Sequence, residues 1–150
     1  MRLSKRGEYG LRAMINLADA QKNSPGAMAQ IKDISAQEKI PTKYLEQILL
    51  ALKNAGLLNS KMGIGGGYYL AKEPEKINLG HIIRVLDGPL APVRCVSHMA
   101  YEPCGCPDER TCGLRMVMGD VRDAIANILE NTSLADVTER VDAARALLGE

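Results

Sequence analysis

The sequence contains no tryptophan and no phenylalanine, and five tyrosines are its only aromatic residues. A core without those side chains must be assembled from Leu, Ile, Val, Met and Ala, a set that suits packed helices. No apolar run reaches the ~18 residues of a membrane-spanning helix, so no membrane span is expected. The basic start, Met1-Arg2-Leu3-Ser4-Lys5-Arg6, is not followed by the apolar stretch of a signal peptide. A cytoplasmic location follows. Histidine is scarce, with only His81 and His98. There is no Cys-x-x-Cys and no nucleotide-binding fingerprint, which argues against an enzyme, a thiol oxidoreductase included. Cysteine is absent everywhere except one 18-residue stretch that holds all four, Cys95, Cys104, Cys106 and Cys112.

The remaining composition is ordinary: 150 residues, 46% hydrophobic and 25% charged, enough for one compact domain or a small domain with an appended dimerisation element. The net charge of +1 conceals an asymmetry. Residues 1–72 carry 11 Lys and Arg against 5 Asp and Glu, whereas residues 73–150 carry 8 against 13. A basic first half points to a polyanionic partner for that half alone.

Hydrophobic spacing orders the elements. Ser4 caps a first helix to about Ala20, with Leu11, Met14, Ile15 and Ala18 as its buried stripe. After the Ser24-Pro25-Gly26 loop, a short helix spans about Gln30 to Glu38. A third begins at Pro41 and ends at Gly56. Its faces separate into Leu45, Ile48, Leu49, Leu52 and Ala55 on one side and Thr42, Lys43, Glu46, Gln47 and Lys53 on the other. Strands 57–60 and 68–70 flank Lys61-Met62-Gly63-Ile64-Gly65-Gly66-Gly67, a glycine-rich hairpin tip. A helix-turn-helix followed by a hairpin is a winged helix. The expected fold is therefore mainly α with a small β-hairpin. Residues 1–75 form the winged helix-turn-helix. Residues 76–150 hold a cysteine loop at 89–113, a long helix from Leu114 to Asn131 and a last helix opened by Ser133. The stripe Leu114, Val117, Val121, Ala124 and Ile128, widened by Met118, Ile125 and Leu129, suits a two-helix seam between subunits or packing within the chain.

A recognition helix enters the major groove and offers its exposed N-terminal side chains to base edges. Here these are Thr42, Lys43, Glu46 and Gln47; Gln pairs with adenine, Glu accepts from cytosine, and Lys reaches guanine or phosphate. Ser4 and Lys5 are placed to hold a phosphate at the start of helix 1, and Lys61 lies on the wing. The expected partner is double-stranded DNA. In the cysteine loop the spacing Cys95-x8-Cys104-x-Cys106-x5-Cys112 leaves three chemistries open: a zinc site without the usual knuckle, an iron–sulfur cluster, or a redox dithiol.

The stretch Ile40-Pro41-Thr42-Lys43-Tyr44-Leu45-Glu46-Gln47-Ile48-Leu49, the wing Gly63-Ile64-Gly65-Gly66-Gly67-Tyr68 and the start Leu3-Ser4-Lys5-Arg6-Gly7-Glu8-Tyr9-Gly10 closely resemble the IscR/NsrR-type family of bacterial winged-helix transcription regulators. The resemblance covers nearly the whole chain. It implies a homodimer held by the long helix, bound to a partly palindromic operator and more often repressing than activating. Glu46 and Gln47 would read bases, with Tyr44, Gly65, Gly66 and Tyr68 also in the DNA-binding set. One departure is Met62, which stands where several relatives carry an arginine before the first wing glycine; Lys61 is one position earlier. Cluster-binding relatives use three cysteines, which the resemblance places at Cys95, Cys106 and Cys112, leaving Cys104 as an additional thiol. A histidine that follows the last cysteine in some relatives is replaced by Leu114-Arg115-Met116, and Glu8 stands where others donate an acidic ligand from the second subunit. The implied cofactor is an iron–sulfur cluster, [2Fe–2S] ahead of [4Fe–4S]. The alternative is a cluster-free homodimer sensing thiol redox state or a partner protein.

Overall fold

The computed structural model describes residues 2–149. It has six helices, α1 (Lys5–Asn23), α2 (Ile31–Glu38), α3 (Thr42–Asn54), α4 (Leu79–Asp87), α5 (Gly113–Glu130) and α6 (Leu134–Leu147), with one antiparallel hairpin, β1 (Leu58–Lys61) and β2 (Gly67–Leu70), between α3 and α4.

Helix α1 starts where its cap predicts: the Ser4 hydroxyl oxygen accepts the Gly7 N–H at 3.0 Å. It runs three residues past the expected end. Its buried face is also rotated from the expected one. Gly10, Ala13, Met14, Leu17 and Ala18 are buried, whereas Leu11 and Ile15 lie half-buried at the margin. A Cβ at Gly10 would strike the Leu86 side chain, so the glycine lets α4 approach closely. Between α2 and α3, Lys39 turns through the left-handed region (φ 56°). The Ser35 hydroxyl donates to the Ile40 carbonyl at 2.5 Å and meets the Thr42 hydroxyl at 3.1 Å, which closes the turn. Pro41 is the N-cap of α3 rather than its first residue. Leu45, Ile48, Leu49 and Leu52 of α3 are fully buried, as their spacing requires.

Each strand sits one residue from its expected start. The pairs are Leu58 with Leu70, Asn59 with Tyr69, Ser60 with Tyr68 and Lys61 with Gly67. Ala29, just before α2, exchanges two backbone hydrogen bonds with Tyr68 (2.9 and 2.8 Å) and adds a third, minimal strand. That contact explains Gly67. Its φ is 148°, and a Cβ there would strike the Ala29 carbonyl. The wing is thereby tied to the start of the helix-turn-helix.

One core crosses the boundary at residue 75. Ile77, Ile82, Leu86 and Leu134 join Met14, Leu17, Ile48 and Leu52 in a single buried cluster. Helix α6 opens with the expected cap, a reciprocal box in which Ser133 and Asp136 each accept the other's backbone N–H (3.1 and 2.9 Å). Helix α5 differs from the rest because none of its residues is buried. The cysteine loop contains two single 3-10 turns, Arg94–Val96 and Glu109–Thr111, which its aperiodic sequence did not announce.

Candidate nucleic-acid interface and cysteine loop

The outward face of α3 presents Thr42, Lys43, Glu46 and Gln47, all exposed. Among the described residues no hydrogen bond or ion pair engages Lys43, Glu46 or Gln47, so their polar ends are available to an external partner. Thr42 is committed in part to Ser35. Leu50 lies one turn beyond Glu46 on the same face and is 53% exposed. Its place at i+4 from Glu46 was readable, but an apolar residue among apolar neighbours 48–52 is easily assigned to the core. Tyr44 sits differently from its exposed neighbours. It is half-buried, with its ring edge-on to Tyr9 at 5.7 Å and 78°, and so joins α3 to α1.

The start of α1 is crowded by an acid. Asp87, the last residue of α4, accepts the Ser4 backbone N–H at 3.0 Å and the Ser4 hydroxyl in a second, short bond. The positive end of the helix is thus already met by a carboxylate. Lys5 is largely exposed, with its ammonium 3.6 Å from Glu8 and 5.6 Å from the Tyr9 ring centre. Glu8 itself lies between Lys5 and Arg12 (4.0 Å). On the wing, Lys61, Gly65 and the tip residues are exposed, Gly66 is buried in the turn, and Tyr68 is half-buried beneath the hairpin.

The four thiols are free and unequally placed. Cys95 is buried in its 3-10 turn. Two arginines of α5 hold that turn by its carbonyls, Arg115 on Cys95 (3.3 Å) and Arg122 on Val96 (2.6 Å). Neither arginine was singled out by sequence, because a charged residue on a long exposed helix carries no mark of what it touches. Cys104 and Cys106 face one another across Gly105 (φ 78°), and the Cys106 N–H donates to the Cys104 sulfur at 3.3 Å. The Cys106 thiol also donates to that sulfur, which holds Cys104 below the usual thiol range and pushes Cys106 up to about 11. Cys112 caps α5, its sulfur accepting the Arg115 N–H at 3.4 Å. Four thiols are a suitable donor set for iron or zinc. Their arrangement in one chain is not: among the described residues no three His, Cys, Asp or Glu side chains gather closely enough to hold a metal ion.

An open groove of about 1080 Å³ runs between the start of α1, the end of α4 and α5, with Leu3, Glu8, Ile83, Leu90, Ile125 and Leu129 among its walls. Of the predicted seam, Ile125 and Leu129 turn into this groove. Leu114, Val117 and Ile128 face outward at 65%, 55% and 63% exposure.

A helix-turn-helix with an exposed polar second helix, backed by a hairpin pinned to its first helix, defines a winged-helix DNA-binding protein. The family model described as "Rrf2: Iron-dependent Transcriptional regulator" matches residues 3–140, and the chain belongs to this family of transcription regulators. Its members are regulators rather than enzymes. The chain is 37% identical over 142 residues to the HTH-type transcriptional regulator CymR of Bacillus subtilis, covering 95% of this chain and 93% of the relative. The solved structure of that protein, described as the global cysteine regulator of B. subtilis, superposes with a TM-score of 0.77 at 34% identity, over 93% of this chain and 98% of that one. The structure of T. potens IscR gives a TM-score of 0.76 at 30% identity, over 97% and 91% of the two chains. The oxidized form of Staphylococcus aureus CymR gives 0.71 at 32% identity, over 93% and 97%. No described helix is long and apolar enough to cross a membrane.

Proposed function

We propose that this regulator acts as a homodimer on a partly palindromic operator, usually as a repressor, and that its cysteine loop sets how well it binds. The reading rests on the exposed, unengaged Lys43, Glu46 and Gln47 of α3 beside a wing fixed to the same motif. Glu46 and Gln47 read base edges in the major groove, Thr42 and Lys43 contact the backbone or flanking bases, and Lys5 and Lys61 add phosphate or minor-groove contacts. The partner helix comes from a second copy, whose exposed α5 stripe matches the uncovered α5 stripe of the first.

The control element is an iron–sulfur cluster with Cys95, Cys106 and Cys112 as its thiolate ligands. The iron-dependent description of the family supports this. Such a cluster supplies a redox- and iron-sensitive link between segments that otherwise stand apart. Because no three donors gather among the described residues of one chain, the loop must rearrange or a second chain must contribute, and Glu8 of the partner subunit is the candidate for that contribution. The paired thiols Cys104 and Cys106 favour a second reading, a cluster-free regulator that senses thiol oxidation.

Anaerobic purification followed by iron and sulfide counts separates the two. Bound iron and sulfide, lost in a Cys112→Ser variant, support the cluster. A colourless, iron-free protein after reconstitution refutes it. Salt-dependent binding to a duplex selected from a random pool tests the DNA reading in either case.

A further inference from the structure

The tip of the wing is apolar where a DNA-facing arm is ordinarily polar. Met62 is 93% exposed and Ile64 is fully exposed at 108%, and among the described residues nothing covers either one. Two large apolar side chains thus lie bare two residues apart at the same hairpin tip. They stand at the end of a hydrogen-bonded hairpin. The Gly66 N–H donates to the Gly63 carbonyl at 3.1 Å to close the tip, and Gly63 and Gly65 take φ of 95° and 77°. Lys61 pairs with Gly67 below it, and Tyr68 is bonded to Ala29. The arm adjoins the recognition helix, since the Lys53 ammonium at the end of α3 donates to the Ser60 hydroxyl in β1 at 2.7 Å. It also lies in the half of the chain with 11 basic and 5 acidic residues.

An apolar tip above lysines and continuous with a major-groove reader matches one kind of contact. Minor-groove proteins insert Met, Ile or Leu between base steps and partly unstack them, while flanking cations hold the phosphates. A cation at the tip would instead favour the narrow groove of a stiff A-tract.

We propose that Met62 and Ile64 form an apolar wedge that enters the minor groove beside each recognition-helix site and selects a deformable pyrimidine–purine step such as TA. The wing is then a reader of DNA flexibility. This rests on the DNA-binding reading above.

The experiment starts from duplexes selected from a random pool by the wild-type protein. The step under the wing is set to TA or AA, with 2-aminopurine beside it. Wild type is expected to prefer TA by about tenfold and to raise 2-aminopurine fluorescence on binding. The Met62→Ala/Ile64→Ala double variant loses the preference and the fluorescence change, but keeps its thermal midpoint and the base preference set by Glu46 and Gln47. Met62→Arg shifts the preference toward AA. A double variant that retains the TA preference, or wild-type binding without unstacking, overturns the wedge alone. Failure of wild type to enrich any duplex, with no salt-dependent binding, overturns the wedge and the DNA reading together.

Discussion

Replacing Ile128 by glutamate is expected to break the proposed dimer, and the structure allows the size of the effect to be worked out. Leu114, Val117 and Ile128 are 65%, 55% and 63% exposed on one face of α5. Fully burying such side chains contributes roughly 1.5–3 kcal/mol each, so covering the exposed part of each contributes about 1–2 kcal/mol. A twofold axis counts every residue twice, giving about 6–12 kcal/mol from the six side chains. Association costs roughly 4–15 kcal/mol in lost freedom, so the stripe alone is marginal and the groove beside α1 and α4 must also be filled. Ile128→Glu removes about 2–4 kcal/mol of burial from the pair of subunits, which weakens dimerisation by roughly 30- to 1000-fold before the cost of a desolvated carboxylate is added. Sedimentation equilibrium across nanomolar to micromolar concentrations measures this directly, and circular dichroism checks that the monomer remains helical. A variant that dimerises as tightly as wild type would refute the α5 interface, as would a wild-type protein that stays monomeric.

Three further outcomes follow from individual contacts. The Glu46→Ala/Gln47→Ala double variant is expected to lose base preference at the positions under α3, at about 1–3 kcal/mol per lost bidentate contact, while non-specific, salt-dependent binding persists; unchanged preference in competition binding would remove α3 as the reader. Arg122→Ala frees the Val96 carbonyl and loosens the turn that buries Cys95, so Cys95 should react faster with a thiol-specific reagent in mass-resolved labelling than in wild type. Asp136, held below the usual carboxylate range by the Ser133 backbone N–H and hydroxyl, stabilises the fold fully above an unfolded-state value of about 3.9 and loses that contribution as pH falls through its lower folded value; the thermal midpoint of Asp136→Ala should therefore lie below wild type at pH 7, and the gap should narrow as the solution is acidified below the ordinary carboxylate range.

The elements that were legible in the sequence are those with a local cause. Ser4 and the Ser133–Asp136 pair fix helix starts through bonds three residues away. The alternation of faces in α3 follows from burial of Leu45, Ile48, Leu49 and Leu52. What was not legible depends on partners distant in sequence. The buried face of α1 is set in part by α4, whose Leu86 and Asp87 fill the space a Cβ would need at Gly10 and Gly7. Asp87 at the start of α1 lies 83 residues from Ser4, and no spacing rule connects a residue ending one helix to the start of another so far away. Tyr44 lies in a segment whose polar neighbours are exposed, yet its ring packs edge-on to Tyr9. The cysteine loop shows the same division. Its thiols and their spacing are plain in the sequence, but the arginines of α5 that position Cys95 become visible only when the chain is folded.

These distant contacts converge on α1, which packs against α2, α3, α4 and α6. It meets the reading helix through Tyr9 and Tyr44, the end of α2 through Arg12 and Glu38, α6 through Asp19 and Arg145 (3.0 Å), and α4 through Ser4 and Asp87. Helix α4 in turn reaches α5 through Arg84 and Glu130, and α5 holds the Cys95 turn. The cysteine loop and the recognition helix are therefore joined by a short series of charged and aromatic contacts rather than by loose chain. The most exposed of these links is the carboxylate of Asp87 on the hydroxyl of Ser4. It sits at the helix end closest to Glu8 and the groove that a second α5 would enter. The polar residues at the start of α1 are thus one of the places where the acidic half of the chain grips the basic half, beside the Asp19–Arg145 pair and the shared core.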